Sequence, residues 1–111
     1  MAFGYKILGQ SAPADTSNAD LYTVGAGKET IVSSIAVANV TGTDTTYNIY
    51  VRAAGATAAD SNKLVGGATA GANTTTTIGI GITLAATDVI TVQSGTGSAI
   101  SFHAFGTEVT V

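Results

Sequence analysis

The sequence contains no cysteine, which excludes disulfides, thiolate metal centres and cysteine nucleophiles. Tryptophan is also absent, and four Tyr and three Phe supply all the aromatic rings. No exposed aromatic stripe is evident on which bases or sugars could stack. Charge is scarce: Asp, Glu, Lys and Arg make up 10% of the chain, against roughly 25% in ordinary soluble domains. The four cations, Lys6, Lys28, Arg52 and Lys63, are scattered through a chain of formal charge -3. Phosphate neutralisation needs a basic stripe, so nucleic acid is excluded as a partner. The longest nearly apolar run, Ile35 to Val40, is broken by Asn39 and falls far short of the ~20 residues of a membrane helix. Helical periodicity is nearly missing as well.

What remains is 14 glycines, 19 alanines and 19 threonines in 111 residues, with 45% hydrophobic positions. Such a chain is too apolar for disorder, and its length suits one domain spanning residues 1–111. The N-terminal residues Met1 to Gln10 show no basic stretch followed by an apolar core, so the chain is expected to be made and to fold in a cytoplasm. The triplets Asn39-Val40-Thr41 and Asn73-Thr74-Thr75 then read as chance matches to a glycosylation signal.

Period-two alternation dominates. Thr46 to Ala53 sets Tyr47, Ile49, Val51 and Ala53 on one face, and Thr46, Asn48, Tyr50 and Arg52 on the other. Thr77 to Leu84 alternates Ile78, Ile80, Ile82 and Leu84 with Gly79, Gly81 and Thr83. Two glycines on one face of a strand predict a neighbour pressed close. A strand from Ile90 to Ser94 follows the turn Ala85 to Asp88, and Ile100 to Val111 alternates until a bulge-like phase shift at Phe105-Gly106. Ile31 to Val40 has small residues on both faces, which predicts a central strand covered on both sides. Shorter strands are expected at Leu21 to Val24 and Lys63 to Val65, and an edge strand or arm within residues 1–20, from Phe3 to Leu8, ended by Gly9 and Pro13. Ala53 to Asn62 and Gly66 to Asn73 read as loops. Seven to eight short strands with regular turn signals predict an all-β fold, an antiparallel β-sandwich that is jelly-roll-like or immunoglobulin-like.

Chemistry-bearing patterns are few. Gly25-Ala26-Gly27-Lys28-Glu29-Thr30 has Tyr22 where a phosphate-binding loop needs its first glycine, and Glu29 where it needs Ser or Thr. It reads as a turn entering a strand. Gly79-Ile80-Gly81 has Leu84 at the third glycine position and opens no helix, so it is no dinucleotide loop. His103 is the single histidine, and no serine sits in a Gly-x-Ser-x-Gly elbow, so no catalytic residue is assigned and no enzyme is expected. The seven carboxylates never cluster as calcium loops do, so neither a metal nor a cofactor is implied. Tyr47 belongs to the core face. Tyr50 and Arg52 share the other face and, with Tyr5, are the candidate interface residues, because Tyr and Arg are favoured at protein contacts.

Three stretches carry a resemblance. Leu21-Tyr22-Thr23-Val24-Gly25-Ala26-Gly27-Lys28-Glu29-Thr30 leads into Ile31-Val32-Ser33-Ser34-Ile35-Ala36-Val37-Ala38-Asn39. Gly81-Ile82-Thr83-Leu84 with Asp88-Val89-Ile90-Thr91-Val92 comes next, and Ile100-Ser101-Phe102-His103-Ala104-Phe105-Gly106-Thr107-Glu108-Val109 closes the set. In this order the chain resembles small virion structural proteins of tailed bacteriophages, over residues 21–109. Gly25 departs from the pattern, which more often has proline there. The resemblance implies a virion component made in a bacterial host and transfers no catalytic residue. Brevity and the lack of a coiled-coil or repeat stalk favour a capsid decoration (cement) protein. Such a subunit would bind the major capsid protein as a homo-oligomer, with a trimer favoured. A tail, neck or baseplate subunit is the alternative, followed by a carbohydrate-binding module at the host surface.

Overall fold

The computed structural model describes residues 2–111, with side chains from Gly4 onward. Met1 and the Phe3 side chain lie outside the described residues. Nine strands form: β1 (Ala2–Ser11), β2 (Ala19–Thr23), β3 (Lys28–Asn39), β4 (Thr45–Arg52), β5 (Lys63–Ala70), β6 (Thr75–Ile78), β7 (Ile82–Leu84), β8 (Val89–Ser94) and β9 (Ile100–Thr110). Among the described residues the only helical pieces are two short 3₁₀ turns, Ala53–Gly55 and Asp60–Asn62. Among the described residues no helix is long and apolar enough to cross a membrane.

The strands make two antiparallel sheets. The first has the order β1-β9-β3-β6, with β7 also paired to β3, and the second has the order β2-β8-β4-β5. Counting β6 and β7 as one interrupted strand, the first strand pairs with the last, the second with the next-to-last, and so inward to β4 with β5. That nesting is a long antiparallel hairpin rolled onto itself, which makes the β-sandwich a jelly roll rather than an immunoglobulin-like one.

Alternation explains the core. Val32, Ile35 and Val37 of β3, Ile49 of β4, Ile90 and Val92 of β8, and Ile100 and Phe102 of β9 are buried between the sheets. Tyr47 joins them as its strand face requires, edge-on to Phe102 with ring centroids 6.2 Å apart. Burial raises the pKa of the Tyr47 hydroxyl. Asn39 is the polar exception at the end of β3, and its amide is fully used. Nδ2 donates to the carbonyls of Thr43 and Ala70, and Oδ1 accepts from the Thr41 N–H and hydroxyl. These bonds fold the 40–44 turn back on the sheet, so burying the amide leaves no orphan group.

Several local expectations are corrected. Ile78 to Leu84 is not continuous: residues 79–81 leave the ladder, and a Cβ at Gly79 or Gly81 would meet nothing within 4 Å. These glycines break the strand instead of admitting a close neighbour. Gly66 to Ala70 extends β5 where a loop was expected, because it pairs with Thr45 to Asn48 of β4. Gly9 does not end β1. It sits inside the strand with the Leu21 carbonyl against it, a contact that any Cβ would block. β3 is central but covered on one face only, since Glu29, Ile31 and Ser33 are exposed. The bulge near Phe105-Gly106 exists, but its extra residues lie on the neighbours: Ser33 on β3 and Leu8 on β1. β9 therefore keeps its phase, with Gly106 packed under the Ile31 carbonyl and the Val32 Cα.

Candidate functional site

The two outer faces of the sandwich differ in kind. On the second sheet, Asp20, Thr91, Tyr50 and Lys63 form one cross-strand row facing outward. Thr91 Oγ1 donates to Asp20 Oδ1 at 3.0 Å, and Lys63 Nζ lies 5.6 Å from the Tyr50 ring centre. Arg52 is committed from several sides. Its NH1 donates to Asp20 Oδ1 at 3.2 Å and to Thr91 Oγ1 at 3.0 Å, while Nε and NH2 donate to the carbonyls of Ala56 and Gly55. Asp88 completes the brace by accepting the Ala54 N–H. This holds the 3₁₀ turn after β4, where Ala54 has a φ of 52°. Next to this row, Asn48 Nδ2 donates to Gln93 Oε1 at 2.7 Å. The face is a polar network satisfied within the chain.

Tyr50 and Arg52 do face away from the core, as alternation predicts. Yet Tyr50 is only 8% exposed, beside Lys63, and Arg52 is half-buried. The missing signal was tertiary: the register that brings Lys63 opposite Tyr50 is not written in the local pattern.

On the first sheet the outward row is Tyr5, Thr107, Ile31 and Thr83, running from β1 through β9 and β3 to β7. Tyr5 is 83% exposed, Ile7 56% and Ile31 50%. Ile7 stands opposite Phe105 in the neighbouring row. Phe105 stacks flat on His103, with centroids 6.3 Å apart and planes 4° from parallel. Beside Ile31 lies an open depression of about 410 Å³ bordered by Glu29, Val109, Thr83 and Ala85. Tyr5, a candidate interface residue from the sequence, lies on this face, whereas Ile7, Ile31 and Glu29 were not singled out. Ile31 and Glu29 could have been found from the alternation in β3, had the strand not been taken as covered on both sides.

Two polar clusters flank this sheet. At the end beyond the second sheet, Glu108 accepts from Lys6 Nζ at 2.9 Å and from the Tyr22 hydroxyl at 2.8 Å, with Lys28 Nζ at 3.8 Å. The hydrogen bonds from Lys6 and Tyr22 hold the Glu108 carboxyl below its ordinary pKa, against a smaller opposing effect of burial. Burial, with Glu108 alongside, pushes the Tyr22 hydroxyl upward. On the outer face, Ser101 Oγ lies 2.9 Å from His103 Nε2, and Gln10 Nε2 lies 3.0 Å from His103 Nδ1. With Gln10 donating to Nδ1, the ring proton sits on Nε2 and is donated to Ser101. Among the described residues no group of three His, Asp or Glu side chains gathers as a metal site would require.

No protein-family model and no curated protein matches the chain. Among solved structures, it superposes on a chain in the structure of infectious bursal disease virus, Gx strain, with a TM-score of 0.52. The fold is shared with a viral chain. The match covers 96% of this chain at 12% sequence identity, so it speaks for the fold alone. This chain spans 31% of the length of the viral one, about a third.

Proposed function

We propose that this chain is a non-enzymatic virion structural protein, a decoration subunit that binds the shell of a tailed bacteriophage and stiffens it. The observation that carries this reading is the nested jelly roll, shared over nearly its whole length with part of a chain from a virus structure. The resemblance of residues 21–109 to phage virion proteins points the same way. So does the surface chemistry. A free soluble domain keeps a more charged exterior, whereas here Asp, Glu, Lys and Arg together make up only 10% of the chain and threonine is abundant. Threonine side chains are cheap to desolvate against another protein.

As a decoration subunit, the chain clamps neighbouring shell subunits and resists outward pressure from packaged DNA, with homo-oligomers, trimers foremost, placed over the shell. The test is a heat challenge of phage particles made with and without the chain. Particles lacking it should release DNA at a lower temperature, and adding the purified chain back should restore the release point. Equal release temperatures with and without the chain would contradict the role. Particles that assemble heads but fail to join tails would instead assign it to the neck or tail.

A further inference from the structure

Given the virion role proposed above, one face of the sandwich meets another protein of the particle. Consider where the charge goes. All four Lys and Arg side chains are committed within the chain: Lys6 and Lys28 to Glu108, Arg52 to Asp20, and Lys63 to Asp60. Of the remaining acids, Asp15 accepts the Ser17 N–H, Asp44 the Ala72 N–H, and Asp88 the N–H groups of Ala54 and Ala85. Among the acidic side chains of the described residues, Glu29 alone has neither an ion pair nor a hydrogen bond, and it is exposed.

Its position matters. Glu29 projects from β3 opposite Val109 and borders the depression whose floor includes Ile31 and Thr83. The same outer face carries Tyr5 and Ile7. An unpaired carboxylate at the rim of an exposed apolar depression is the complement of a cationic side chain on an aliphatic stem. Lysine and arginine have that form: the stem covers apolar surface and the head reaches the acid.

We infer that the outer face of the first sheet docks on a different protein of the particle, which inserts a Lys or Arg side chain beside Glu29 and Ile31. A second copy of this chain fits less well. Each of its Lys and Arg side chains already has a carboxylate, and it would have to break such a pair to supply the cation. The four-stranded sheet, with its internally satisfied network, then faces solvent.

The absence of cysteine makes the test direct. Particles are produced with Ile31→Cys, with Thr83→Cys as a second reporter, and with Leu64→Cys on β5 as the control. Maleimide labelling of the purified chain gives the reactivity of each thiol in the free state. In intact particles the thiols at 31 and 83 should be protected by about tenfold or more relative to the free chain, while the thiol at 64 stays reactive. A short thiol-to-amine cross-linker on the position-31 thiol should join the chain to a different virion protein. Glu29→Lys should lower occupancy on particles about tenfold, through like-charge repulsion, without moving the urea midpoint of the free chain. If the chain is present in particles but the thiol at 31 stays as reactive as that at 64, the face is wrong and the virion role stands. A cross-link to a second copy of this chain overturns the assigned partner. Absence of the chain from particles removes the virion role, and this inference with it.

Discussion

At Gly106 and Glu108 single residues hold β9 to its neighbours. Where β9 crosses β3, the backbones approach until a Cβ at position 106 would overlap the Ile31 carbonyl and crowd the Val32 Cα. Both atoms are backbone and neither can swing aside. Gly106→Ala should therefore cost about 1–3 kcal/mol, the range for overpacking, read as a lower urea midpoint at unchanged slope. Two residues on, Glu108 ties β9 to Lys6 of β1 and to Tyr22 of β2. Its pKa is lower in the folded chain than in the unfolded one, because the carboxylate accepts hydrogen bonds from Lys6 and Tyr22. The resulting stability is present above the ordinary carboxylate pKa and is lost as pH falls through the lowered folded value. Urea unfolding of the protein and of Glu108→Gln should thus differ at pH 7 and converge in acid. A gap that stays constant between pH 7 and pH 3 would show that Glu108 acts by packing alone.

Strands were the most legible level of the sequence, and the exceptions have physical causes. β4 and β8 could be placed because each alternates cleanly between a core face and a polar face. Only the start of β5, Lys63 to Val65, could be placed, because Gly66, Gly67 and Ala68 carry no local strand signal and join the sheet only by pairing with Asn48 and Tyr47, with Gly67 donating its N–H to Asn48 Oδ1. β6 and β7 were read as one strand because Ile78, Ile80, Ile82 and Leu84 keep perfect alternation through the break. Ile80 is 48% exposed, so alternation there reports no burial. Neither Gly79 nor Gly81 has a positive φ, and both have open space where a Cβ would stand. Gly79→Ala and Gly81→Ala should each raise stability by about 0.4–1 kcal/mol, by restricting the unfolded chain, the opposite sign from Gly106→Ala. Thermal unfolding of the three variants side by side checks this. A loss at position 79 or 81 would restore the close-neighbour reading that the fold sets aside.

At the scale of the whole molecule, the sidedness matters most. One outer face closes its polar groups on themselves through Arg52, Asp20, Thr91 and Lys63. The other leaves Tyr5, Ile7 and Ile31 in view beside the unpaired Glu29. Composition foretold a surface short of charge, and alternation foretold a sandwich. Neither could say which face would be left apolar, because that depends on register across strands far apart in the chain. The candidate site was therefore half legible. Tyr5 stands on the exposed face, whereas Tyr50 and Arg52 are drawn into the opposite network. If that network alone fixes the turn after β4, Arg52→Ala should loosen the 53–62 loop, seen as faster amide exchange at Ala54 and Ala56, and leave occupancy on particles unchanged. Reduced occupancy would return Arg52 to the contact surface.

The proposed decoration role puts many copies of this jelly roll on a virion shell. An electron cryo-microscopy reconstruction of the intact particle tests it most directly. Sandwich-sized density repeated over the head lattice is expected, with β1, β9 and β3 turned toward the shell. Density confined to the tail or neck, or a particle that lacks the chain altogether, would contradict it.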